Sequence, residues 1–127
     1  MSPGLAHESI LVVDDQPLSI KLMQLILEGE GYHVLVAANA TEAIQAVRDS
    51  KPDLILMDIH LPSLDGLALT KLLRSDMESR HIKIVAISAY ASAEDDQRIA
   101  AAGCAGFIPK PIDTRTLAAS IREYLDK

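Results

Sequence analysis

The sequence predicts a single α/β domain of (βα)₅ type, a doubly wound parallel sheet of five strands with helices on both faces. Three observations carry that reading. Five short runs rich in Val, Ile and Leu recur along the 127 residues: SILVV at 9–13, HVLVA at 33–37, LILM at 54–57, KIVAI at 83–87 and GFIP at 106–109. Stretches of helical periodicity separate them, and regular alternation of the two patterns is the mark of a parallel sheet. The runs are almost continuously apolar instead of alternating, as strands covered on both faces require.

Taken in order, residues 1–8 form a short lead-in expected to be mobile, and 9–127 form the domain. After the first run, Pro17 suits the first turn of a helix whose inward stripe is expected to be Leu18, Leu22, Leu25 and Ile26, closing before Gly29 and Gly31. The second helix is expected over 41–50, capped by Asn39 or Thr41, with Ala43, Ile44 and Val47 facing in, and SKPD stops it. The third is expected over 67–74 and the fourth over 93–102, ending at Gly103. The fifth is expected over 114–125 with Asp113 as its cap.

Composition removes several function classes. A formal charge of -6 and the absence of a Lys/Arg cluster oppose direct binding to nucleic acid. Aromatic residues make up 3% of the chain and Trp is missing, which leaves little for a stacking platform. Cys104 is the single cysteine, in keeping with a reducing cytoplasm, and reads as a small buried hydrophobe. No apolar stretch approaches the length of a membrane span, so no membrane insertion is expected. His7, His33 and His81 share no metal-ligand spacing and are assigned no role.

The polar residues at the strand ends are the informative ones. The first strand ends in Asp14 and Asp15, the third in Asp58 of MDIHLP, the fourth in Ser88 and the fifth in Lys110. In open α/β sheets ligands bind outside the carboxyl ends of the strands, which is where these groups gather. Each alone has a plain reading: a helix cap for Asp14, a loop hydroxyl for Ser88, a surface charge for Lys110 and a turn for LPSLDG, fixed by Pro62 and Gly66. Together they raise an electrostatic problem, because two like charges about 4 Å apart cost about 4 kcal/mol at an effective dielectric near 20. If the first and third strands are neighbours, three carboxylates face one lysine. A hard divalent cation that keeps several waters, Mg²⁺, would relieve the surplus. One carboxylate is then a candidate phosphoryl acceptor, with Mg²⁺ and Lys110 neutralising the phosphoryl oxygens and Ser88 donating a hydrogen bond.

With VVDD, DLILMDIHLPSLDG, AISA and GFIPKP in this order, the chain resembles the receiver domain of bacterial two-component response regulators from Glu8 to Lys127. The resemblance implies a flavodoxin-like fold with strand order 2-1-3-4-5. It implies Asp58 as phosphoacceptor, Asp15 as a direct Mg²⁺ ligand, Asp14 as a ligand through water, and the His60 backbone carbonyl as the remaining protein ligand. Ser88 and Phe107 would be the switch residues, Phe107 standing where Tyr is frequent, and Lys110 the phosphate-pairing lysine, preceding a cis peptide bond to Pro111. The implied partners are a histidine kinase or histidine phosphotransfer protein upstream and a protein effector downstream, in the cytoplasm. Leu18 is a candidate kinase contact. The output surface would involve the fourth helix, fifth strand and fifth helix. No second domain follows Lys127, so output through protein contacts is expected unless the chain is part of a longer one.

Two other functions fit the same fold. A Mg²⁺-dependent phosphohydrolase with an aspartyl-phosphate intermediate wants a second acid two residues after the nucleophile, where this chain has His60. A flavodoxin-like cofactor binder wants a phosphate-cradling loop where this chain has acidic residues. Finally, His60 and Tyr90 are expected to flank the path of a water attacking the phosphoryl group and to slow its hydrolysis.

Overall fold

The computed structural model describes residues 7–60, 65–89 and 93–127. Its elements alternate strictly: β1 Ser9–Val13, α1 Pro17–Gly29, β2 His33–Ala37, α2 Ala40–Ser50, β3 Leu54–Asp58, α3 Gly66–Ser75, β4 Lys83–Ser88, α4 Ala93–Ala102, β5 Gly106–Pro109 and α5 Leu117–Leu125. The strands form one parallel sheet in the order β2-β1-β3-β4-β5, with Leu11 opposite both Leu35 and Ile55, Ile55 opposite Ile84, and Ala86 opposite Phe107.

Period-two alternation sends successive side chains of each strand to opposite faces, and the core divides accordingly. Ile10, Val12, Leu54, Leu56, Val85 and Ile87 pack with Met23 and Leu27 of α1 and Leu117 and Ile121 of α5. Leu11, Val13, Ile55, Met57 and Ile84 pack on the other face with Ala43 and Val47 of α2 and Leu69 and Leu73 of α3. A smaller cluster of Leu67, Ala86, Ile99 and Ala102 seats α4 beside α3. Among the described residues no helix is long and apolar enough to cross a membrane.

Helix boundaries follow local chemistry. The Asn39 side chain accepts from Glu42 N–H at 2.9 Å, while Glu42 reaches back to Ala38 N–H at 2.8 Å, so each end of the turn satisfies the other. Lys51 closes α2 in the left-handed region at φ 47°, just before Pro52. Asp65, which the sequence reading passed over, caps α3 through Leu67 and Ala68 N–H, both at 3.1 Å. Gly31 and Gly103 take φ values of 94° and 100° in the turns after α1 and α4, where a side chain would be strained.

Three expectations need correction. The inward stripe of α1 consists of Met23 and Leu27 with Ile26 packed beside them, whereas Leu18 is 85% and Leu25 64% exposed and Leu22 is also exposed. This helix is apolar on two flanks, so spacing alone does not say which one meets the sheet. The fifth helix begins at Leu117 and not at residue 114. Asp113 instead organises the preceding turn, accepting from Arg115 N–H at 2.9 Å through its side chain and from Thr116 and Leu117 N–H through its carbonyl. Glu8, read as part of the lead-in, is tied to the domain: its carbonyl accepts from His33 N–H at 3.0 Å and its carboxylate pairs with Arg122 at 2.6 Å.

The corrected face of α1 is open to test. Met23→Ala should cost roughly 2–5 kcal/mol in urea unfolding, while Leu25→Ala should stay within about 0.5 kcal/mol of the parent.

Candidate functional site

Strand register assembles the site before any side chain is considered. Val13 pairs with Met57 and Asp58 with Ile87, so Asp14 and Asp58 leave adjacent strands at the same level. The ladder continues past the strand ends: Asp14 N–H donates to Ala37 O at 3.0 Å, Ile59 N–H to Ile87 O at 3.2 Å and Lys110 N–H to Ser88 O at 2.8 Å. Gly66 brings α3 against the same edge. A Cβ there would lie 2.8 Å from Asp58 O and 2.9 Å from Ile59 Cα, so only glycine allows this approach.

Asp58 is fully buried, and both carboxylate oxygens are engaged. Oδ1 accepts from His60 N–H at 2.9 Å, and Oδ2 is paired with the Lys110 ammonium arriving from the end of β5. The Lys110–Pro111 peptide bond is cis. Asp14 is also buried, its Oδ1 accepting from Gln16 N–H at 3.0 Å. Loss of hydration raises its pKa above the usual carboxylate value; the Gln16 N–H opposes the shift and the Asp58 charge adds to it. Asp15 follows at a half-buried position. Ser88 is buried at the end of β4, and its Oγ lies 3.0 Å from His60 Nε2. Phe107 stands apart from these groups, half-buried against the Leu67, Ala86, Ile99 and Ala102 cluster. Pro62 and Tyr90 lie outside the described residues.

The structure therefore brings Asp14, Asp58, His60, Ser88 and Lys110 to one edge. Beside them runs an open groove of about 480 Å³ between the start of α1 and the segment after β5, lined by Gln16, Ser19, Leu22, Ala89, Pro111 and Ile112 as well as Asp14 and Lys110. The reading of the sequence did not anticipate this groove. It also missed the contact of the His60 ring with Ser88, a pair 28 positions apart that only the pairing of β3 with β4 makes neighbours. Cys104 is partly buried against both α3 and α4, and burial pushes its thiol pKa up, as suits an inert packing residue.

The donor set suits Mg²⁺. It consists of hard carboxylate oxygens, one of them the desolvated Asp14, which forms no ion pair among the described residues, Lys110 being paired with Asp58. Among the described residues no three His, Cys, Asp or Glu side chains converge as a ready-made cage. Mg²⁺ does not ask for one, being held by one or two carboxylates with several retained waters.

Comparison with known proteins identifies the family and the fold. The response regulator receiver domain family matches residues 10–122. The polar-differentiation response regulator DivK of Brucella anthropi is 41% identical over 118 residues, covering 93% of this chain and 96% of that protein. A response regulator from Chloroflexus aurantiacus superposes with a TM-score of 0.89 at 27% identity, covering 96% of this chain and all of that one. The receiver domain of a Pseudomonas aeruginosa sensor histidine kinase, solved with a magnesium ion in its active-site cleft, does so with a TM-score of 0.85 at 29% identity and the same coverage.

The buried charge of Asp14 has a measurable cost in metal-free protein. A folded-state pKa above the unfolded value means that stability falls as pH rises from the unfolded pKa through the folded one. Asp14→Asn keeps an acceptor for Gln16 N–H, and without Mg²⁺ it should melt at a higher temperature than the parent at pH 7. The gap should close at pH values below the carboxylate range, as calorimetry across pH would show.

Proposed function

As the chain belongs to the response regulator receiver domain family, we propose that it is a signalling switch that accepts a phosphoryl group on Asp58 and changes its protein contacts in response. The observation that carries the reading is the buried Asp58 carboxylate held between the His60 N–H and the Lys110 ammonium at the sheet's carboxyl edge. A carboxylate fixed in this way needs little further ordering before it attacks, and the nearby cation lowers the cost of bringing a phosphoryl anion to it.

In the proposed reaction one Asp58 oxygen attacks the phosphorus of a phosphohistidine. An O–P bond forms, the N–P bond breaks, and its electron pair returns to the donor imidazole. Lys110 then shares its charge between Asp58 and the phosphoryl oxygens, while Ser88 donates its hydroxyl proton to one of them. Asp15, Asp58 and the His60 carbonyl would hold Mg²⁺ directly and Asp14 through a retained water, and the ion when bound would neutralise charge on the transferring group. Phosphorylation shifts a conformational equilibrium only if the phosphoryl group is held better in one state. A coupling of about 1–3 kcal/mol would change partner affinity 5- to 150-fold. Phe107 on β5 would pass the change to the α4–β5–α5 face.

The donor in this reading is a histidine kinase or phosphotransfer protein of the cytoplasm, and the output is a protein partner with no direct contact to nucleic acid. The chain is a substrate and switch and not a turnover enzyme. Against a hydrolase stands the residue two places after the acceptor: the His60 ring is engaged with Ser88 and offers no carboxylic acid to a leaving group.

Treatment with a small phosphodonor and Mg²⁺ should add one phosphoryl group, detected by intact-mass spectrometry, and Asp58→Asn should abolish it. The same adduct on Asp58→Asn would move the acceptor role elsewhere. Asp15→Ala should weaken Mg²⁺ binding at least tenfold in a calorimetric titration and suppress phosphorylation with it; unchanged Mg²⁺ affinity would remove Asp15 from the metal site.

A further inference from the structure

The His60 ring takes no part in the reaction above, yet its Nε2 reaches across the ends of β3 and β4 to Ser88 Oγ at 3.0 Å. Its backbone is fixed as well, because His60 N–H donates to Asp58 Oδ1 at 2.9 Å. One residue thus holds the acceptor carboxylate through its main chain and the switch hydroxyl through its side chain. We propose that His60 is a latch on Ser88: Nε2 accepts the Ser88 hydroxyl proton in the unphosphorylated chain, and a phosphoryl group on Asp58 must take that proton away from the imidazole.

The chemistry of the hydroxyl makes this a competition. A serine has one O–H to donate, whereas a ring nitrogen and a phosphoryl oxygen are both acceptors. Ser88 is buried, so a proton withdrawn from one acceptor must find another without help from bulk water. Phosphorylation therefore exchanges a hydrogen bond at Ser88 and does not simply gain one, and the latch sets the switch further toward its resting state than the phosphoryl contacts alone would. His60 is a positioning residue that acts through Ser88. The proposal rests on the phosphoacceptor reading of Asp58.

The test uses the whole chain at saturating Mg²⁺ with beryllofluoride, a mimic of the aspartyl phosphate, its affinity read by isothermal titration or fluorine NMR. His60→Phe keeps a ring over the site but has no acceptor; His60→Leu is a second apolar replacement should the first fail to fold. Either should raise beryllofluoride affinity roughly 2- to 10-fold, the worth of one net hydrogen bond. In a Ser88→Ala background the same replacement should change nothing, since the latch has no hydroxyl to hold. Affinity unchanged or lowered by both replacements would overturn the latch. So would an equal rise in the Ser88→Ala background, because His60 would then act by bulk or access and not through the hydroxyl. Wild-type protein that binds beryllofluoride no better than Asp58→Asn would be a separate failure, of the phosphoacceptor reading and the latch with it.

Discussion

The Asp58–Lys110 pair is the interaction on which the other features of the molecule depend. A carboxylate with no exposed surface is tolerated at the end of a central strand only because an ammonium and a backbone N–H meet it there. Lys110 reaches Asp58 because its own backbone N–H extends the β4–β5 ladder onto Ser88 O, and β4 in turn pairs with β3 in a register that puts Ile87 opposite Asp58. The order β1-β3-β4-β5 is thus a chain of hydrogen-bonded neighbours running from the acidic residues to the cation. Opening the sheet anywhere between β3 and β5 would leave a buried charge without its partner.

The packing on the two faces serves this edge. Both clusters are filled by aliphatic side chains from the middle strands, which fixes the height of each strand relative to the next. Gly66 lets the first turn of α3 close against the Asp58 carbonyl, and the Asp65 cap starts that helix at the one level where the approach is possible. Helix α1 contributes differently. Its inner face is core, while Leu22 lines the groove that opens beside Lys110 and Leu18 is exposed to solvent.

Much of this was readable from residue order, for physical reasons that differ element by element. Strands covered on both faces leave unbroken aliphatic runs, so SILVV and KIVAI stand out in any reading of the chain. A strand end buried beneath two helices has little use for Asp, Ser or Lys, so those residues mark an edge with chemistry. Other features were hidden because they depend on distance in space. The outward and inward flanks of α1 are both apolar, and only docking on the sheet separates Met23 from Leu25. Asp113 has the composition of a helix cap yet closes the turn that leads into α5, since competing Asx geometry looks the same in one dimension. The His60–Ser88 contact left no local signal at all, being a property of two strands lying side by side.

The far end of the sheet constrains how α5 can move. At the start of β4, Lys83 donates to the carbonyls of Tyr124, at 2.6 Å, and Leu125, at 3.2 Å, and Arg122 bridges Glu8 and Asp126. These contacts satisfy the last carbonyls of the helix with a positive charge where its dipole is negative, and they tie that end to both β4 and the residue preceding β1. The opposite end follows the Pro111–Thr116 segment directly downstream of Lys110. Helix α5 is therefore held at both ends, by polar contacts at its C-terminus and by the buried Leu117 where it leaves the segment that follows the cation.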